Sequence, residues 1–158
     1  MDKRGTPEGK WKRWAIEEIT KLFIESHPET PDLSHIIFVP IPPSKIKTDP
    51  LYDDRIVQVA SAFCKARKGD FREILSIKEN IEPSHAGEKR PKPAEIEANL
   101  ILNPELCTIK KDIIILVDDM ITSGAHFKAC QRKLHEAFPM AIIKGIFITR
   151  RTFKLDEV

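Results

Sequence analysis

Cysteine is scarce in this sequence, and the few present are not arranged for pairing. Cys64, Cys107 and Cys130 form an odd, widely separated set without a Cys-x-x-Cys, which excludes a disulfide framework and a zinc ribbon and leaves reduced core thiols as the expectation. An excess of either charge is also absent. Lysine and arginine number 26 against 24 aspartates and glutamates, a net charge of +2, so nothing indicates a nucleic-acid footprint beyond local clustering of basic side chains. No apolar run approaches the roughly 20 residues that cross a bilayer. The charged, proline-containing start is unlike a secretory signal. No membrane partner is therefore expected, and a cytoplasmic location is the default. His27, His35 and His135 lack the spacing of a metal site. No Ser-His or Cys-His pairing points to a protein nucleophile, and there is neither an internal repeat nor a low-complexity tail.

What is present suffices for one sizeable core. At 158 residues and 41% hydrophobic, residues 1–158 read as a single domain. Trp11, Trp14, Ala15, Ile19, Leu22 and Phe23 recur at helical spacing, ended by Pro28 and Pro31, so residues 1–30 carry one amphipathic helix with both tryptophans as packing anchors. Ile36 to Val39 is a short buried strand closed by Pro40, Pro42 and Pro43, which lack the N–H a central strand needs. A helix is expected from Asp53 to Lys68, with Ile56, Val59, Ala60 and Phe63 inward, an aspartate cap at its start and Gly69 at its end. Ile74 to Ile77 reads as the next strand. From Lys78 to Pro93 prolines and charges without apolar periodicity indicate an exposed mobile loop. A short helix over Ala94–Leu102 follows, then a strand from Ile113. A helix over Ala125–Phe138, with Phe127, Cys130, Leu134 and Phe138 inward, and a last strand over Ile142–Thr149 complete the chain. The alternation predicts an α/β fold: an open, mainly parallel twisted sheet with helices on both faces.

The most informative stretch is Ile113-Ile114-Ile115-Leu116-Val117-Asp118-Asp119-Met120-Ile121-Thr122-Ser123-Gly124-Ala125. A strand without polar alternation is one buried on both faces, and open parallel sheets bind ligands beyond the carboxyl ends of such strands. Asp118 and Asp119 fall at that end. The following turn brings two hydroxyls, free N–H groups and the positive end of a helix dipole to one spot, a cradle for phosphate. Acids that merely cap the next helix would explain one aspartate, but not Thr-Ser-Gly-Ala at a fixed offset.

This stretch resembles the signature of the type I phosphoribosyltransferases: a hydrophobic strand, two acids, two variable apolar residues, then Thr-Thr-Gly or a close variant. The resemblance implies that family's fold with a reduced hood, for which the N-terminal helix is the candidate, the alternative being that this helix only packs. It also implies use of phosphoribosyl pyrophosphate (PRPP) and Mg, the metal held mainly through substrate rather than by protein ligands. By position, Asp118 and Asp119 would hold the ribose hydroxyls, and Thr122, Ser123, Gly124 and Ala125 the 5-phosphate, with His126 adding a donor or restricting the pocket. Val39-Pro40-Ile41-Pro42 is similar to the competence-associated ComF-like branch, which places Ser44 and Lys45 at the pyrophosphate with Lys47 as a second cation. That branch continues with Arg-Gly-Phe-Asn-Gln, whereas this chain has Asp49-Pro50-Leu51-Tyr52-Asp53-Asp54-Arg55. The 78–93 loop occupies the place of the family's flexible lid, with Lys89 and Arg90 as its leading cations, then Lys78, Ser84 and His85. Asn99 either matches an asparagine found after the lid or is a surface residue.

The implied activity is transfer of the phosphoribosyl group to a base or other nitrogen nucleophile with release of pyrophosphate, within nucleotide metabolism. The alternative is a non-catalytic PRPP- or nucleotide-binding regulator, or an assembly subunit. A homo-oligomer and a partner protein both remain open.

Overall fold

The computed structural model describes residues 7–26, 33–81 and 92–151. They form α1 (Pro7–Glu25), β1 (Ile36–Pro40), α2 (Arg55–Arg67), β2 (Asp70–Phe71), β3 (Leu75–Ile77), α3 (Pro93–Asn99), β4 (Leu100–Leu102), β5 (Ile113–Ile121), α4 (Ala125–Ala137) and β6 (Ile142–Arg150). The uninterrupted apolar start of β5 places it inside the sheet, with β1 on one side and β6 on the other. The order β2-β1-β5-β6 is parallel throughout, in register from Ile36↔Ile113 to Pro40↔Val117 and from Ile113↔Ile142 onward.

Alternation along the strands divides two cores. Ile37, Val39, Ile114 and Leu116 pack with Ala129, Cys130 and Leu134 of α4, whereas Phe38 and Val117 pack with Ala60, Phe63 and Cys64 of α2. Helices therefore cover both faces, as the alternating pattern predicts. All three cysteines are buried and free, and no helix among the described residues is long and apolar enough to cross a membrane.

Several local expectations are corrected. Leu75–Ile77 does not join the parallel sheet; it pairs antiparallel with Leu100–Leu102 in a separate two-stranded sheet. The end of the predicted 94–102 helix is therefore a strand, because an apolar triplet is too short for its periodicity to separate strand from helix. The parallel edge is instead the two-residue β2.

The left-handed residue ending α2 is Lys68, at φ 54°, rather than Gly69. Gly69 is needed for close approach: a Cβ there would lie 3.1 Å from both Cys64 Sγ and the Phe38 ring. On α1 the inward stripe is Ala15, Ile16, Ile19 and Phe23, while Trp11, Trp14 and Leu22 are 68%, 55% and 60% exposed. At 3.6 residues per turn Trp11 lies roughly 140° around the helix from Ile16, so the two cannot face the same partner. The tryptophans contact each other edge to face at 5.9 Å.

Asp54 stands at the cap of α2 but caps nothing with its carboxylate. It takes Lys12 Nζ of α1 at 2.7 Å and Gln58 Nε2 at 2.7 Å, which fastens α1 to α2. Phe23 against Phe63 and Phe63 against Phe38, at centroid distances of 6.0 and 5.6 Å, extend that attachment down to the sheet.

Candidate functional site

The step between a short β1 and a long β5 creates the site. β1 gives out at Pro40, although the Ile41 N–H still reaches the Val117 carbonyl at 2.9 Å. β5 runs on through Asp118, Asp119, Met120 and Ile121 with β6 alone beside it. Beyond the end of β1 opens a cavity of about 470 Å³. Asp118, Asp119 and Met120 line it from β5, Ile41 to Ser44 from the proline loop, Asp53, Arg55 and Ile56 from the start of α2, Thr122 and His126 from the turn and α4, and Ala15, Ile16 and Ile19 from α1. One wall is thus apolar and the opposite elements bring carboxylates, hydroxyls and a guanidinium.

Asp118 and Asp119 differ in environment. Asp118 is largely shielded, and its carboxylate accepts the Asp119 N–H at 2.8 Å. Burial first, and the neighbouring Asp119 charge in addition, push its pKa up to about 7. Asp119 is exposed, and its carbonyl accepts the Thr149 hydroxyl at 3.0 Å. Arg55 is held by Asp53, through Nε–Oδ2 at 2.7 Å and a terminal nitrogen at 2.5 Å. The Asp53 pair and the charge of Asp119 both favour its protonated form. His126 is exposed as a residue, yet desolvation of its ring lowers its pKa and so disfavours the imidazolium.

Gly124 is the N-cap of α4 and adopts φ +74°, the left-handed region that glycine enters without strain. A Cβ built there meets nothing within 4 Å, so the protein leaves open the space in front of the turn. Of the predicted turn residues Thr122 and His126 line the cavity, whereas Ser123, Gly124 and Ala125 do not.

Of the other predicted residues, Ser44 lines the cavity, and Lys45 lines a smaller one of about 30 Å³ behind the proline loop, beside Lys47 and Tyr52. Lys47 is bound to Glu73. Lys78 donates to the Ala98 carbonyl at 2.6 Å. Lys89, Arg90, Ser84 and His85 lie outside the described residues. The segment leading to them is fastened to the proline loop: Ile81 N–H donates to Ser44 O at 2.7 Å, and Asn80 accepts the Ile46 N–H at 2.9 Å. Asn99 is no idle surface residue, since its amide accepts the Glu79 N–H at 3.0 Å and donates to the Glu79 carbonyl at 2.9 Å. An aspartate cap on α2 was the expectation for this stretch, over the alternative that Tyr52 and Arg55 line the mouth of a pocket. Arg55 does line the cavity, Tyr52 lines the smaller one, and Ile16, Ile19 and Ile148 were not expected there individually. The signal for Arg55 was its position two residues beyond Asp53, just after the proline loop.

A pH-dependent stability follows from Asp118. An exposed aspartate releases its proton near 3.8, whereas the folded chain keeps this one to about 7. The folded state therefore binds the extra proton between those values, and stability falls as pH rises through that window, then stays low above it. Asp118→Asn keeps the acceptor for the Asp119 N–H and removes the charge. It is expected to raise stability above neutrality by about 1–2 kcal/mol, with the gain vanishing at acid pH. Thermal unfolding of both proteins across pH measures this, and a pH-independent difference would contradict the assignment.

No protein-family model matches the chain, and no curated protein matches it.

Proposed function

We propose that the cavity binds PRPP together with Mg and that the protein transfers the phosphoribosyl group to a nitrogen nucleophile, typically a base, releasing pyrophosphate. The observation that carries this reading is the convergence of Asp118 and Asp119, the turn residues Thr122 and His126, and Ser44 on one cavity at the carboxyl end of a parallel sheet. The type I phosphoribosyltransferase signature in β5 and its turn gives that arrangement its chemistry.

Ribose hydroxyls donate hydrogen bonds to carboxylates, and a 5-phosphate accepts them from the N–H groups and hydroxyls of the Thr122–Ala125 turn. As the nucleophile's lone pair forms its bond to the anomeric carbon, the bond from that carbon to the pyrophosphate oxygen breaks, and its electron pair leaves with pyrophosphate. Positive charge develops on the sugar ring, where Asp118 and Asp119 stabilise it. The described residues contain no cluster of three or more side chains fit to hold a metal. Two adjacent carboxylates nonetheless suit an ion that takes most of its oxygens from substrate phosphates and water. Bound Mg would supply neutralisation of the pyrophosphate charge. The apolar wall of Ala15, Ile16 and Ile19 suits the flat face of a base.

Calorimetry of the protein with PRPP, with and without Mg, tests the reading. Saturable binding that tightens with Mg is expected, and no heat at millimolar ligand would overturn it. Pyrophosphate release on addition of free bases then separates a transferase from a protein that only binds.

A further inference from the structure

The described part of α1 has two functional sides. Ala15, Ile16 and Ile19 line the cavity, while Trp11 and Trp14 project on the other side, 68% and 55% exposed and touching each other. They are the only two tryptophans in the chain. Adjacent exposed tryptophans are costly to leave in water and are enriched at the centres of protein interfaces. The charges around them are ordered along the helix: Lys10 and Arg13 precede or flank the pair, and Glu17 and Glu18 follow it, all exposed.

We infer that α1 is a self-association helix, through which two copies of this chain pair antiparallel about a two-fold axis beside Trp14. The charge order selects both the partner and the direction. An antiparallel copy sets Lys10 of each helix against Glu17 and Glu18 of the other and packs the four tryptophans together, whereas a parallel copy sets like charge against like. An isologous pair satisfies both ends of the patch at once, and it also sets the two helix dipoles in opposition. The second copy backs the helix whose other side lines the cavity. The inference stands independently of what the cavity binds.

Light scattering during gel filtration over a range of concentrations gives the test. The parent chain is expected at twice the chain mass at high concentration, with its tryptophan emission shifting to the red as dilution separates the copies. Trp14→Asp is expected at the chain mass. Lys10→Glu alone and Glu17→Lys/Glu18→Lys alone each place like charges across the contact and are expected as monomers, but mixed together they restore complementarity at both ends and should form a heterodimer. Circular dichroism checks that each variant is folded. A parent that is monomeric at every concentration, or a dimer that survives Trp14→Asp and both charge reversals, overturns the inference. So does a dimer lost in every variant but not recovered on mixing the two charge-reversed chains.

Discussion

Replacing Asp118 and Asp119 together by asparagine is expected to weaken Mg-PRPP binding about 100-fold or more while the fold persists. Each carboxylate that accepts a ribose hydroxyl or faces a cation contributes on the order of 1.5–3 kcal/mol, and every 1.4 kcal/mol is about tenfold in affinity. Two such losses exceed about 100-fold even if asparagine recovers part of one hydrogen bond. The fold survives because Asp119 is exposed and because asparagine at 118 still accepts the Asp119 N–H. Relief of the burial cost at Asp118 works in the same direction. Calorimetry on the folded double variant measures the effect, and an affinity equal to the parent's would remove these acids from the site.

Gly124→Val is expected to abolish binding of phosphorylated ligands. At φ +74° a β-branched residue is held in a region it avoids, at a cost of about 1–3 kcal/mol. A Cβ at this position meets no atom within 4 Å, so the free protein is expected to fold with a lower Tm rather than fail to fold. The carbons enter the open space in front of the α4 turn, where the proposed 5-phosphate sits. Gly124→Ala separates the two effects: it carries much of the backbone strain but less bulk, so its loss of stability should approach that of valine while its loss of affinity is smaller. Equal binding by parent and folded Gly124→Val would sink the phosphate-cradle reading.

The sheet and the acid-bearing strand were legible because their signals are local. Five successive apolar residues, Ile113 to Val117, demand burial on both faces, and Asp118 marks where that demand ends. Gly124 was legible for a similar reason, since the turn geometry limits which residue fits. Leu100–Leu102 was not, because three residues carry too little period to distinguish a strand from the end of a helix. Trp11 and Trp14 misled because hydrophobicity was read in place of angle: the stripe that packs is set by Ile16, Ile19 and Phe23. Of the two acids expected to cap α2, Asp53 accepts the Arg55 N–H at 3.1 Å, but Asp54 turns its carboxylate to Lys12, which lies on a helix whose position no local pattern specifies.

The register of β1 against β5 sets the order in which the molecule can be made. Ile36 pairs with Ile113, 77 positions later, and β1's other neighbour is the two-residue β2. During synthesis the first strand thus emerges long before its main partner: α1 and α2 supply cover for Phe38, but Ile37 and Val39 stay without Ile114, Leu116 and α4 until β5 and the helix after it leave the ribosome. Chains stopped before residue 113 would expose the unpaired edge of β1 together with the apolar side chains of Ile37 and Val39, the combination that invites aggregation and chaperone capture. The aspartates reach their places only when that late strand docks, so a half-made chain lacks the candidate site altogether.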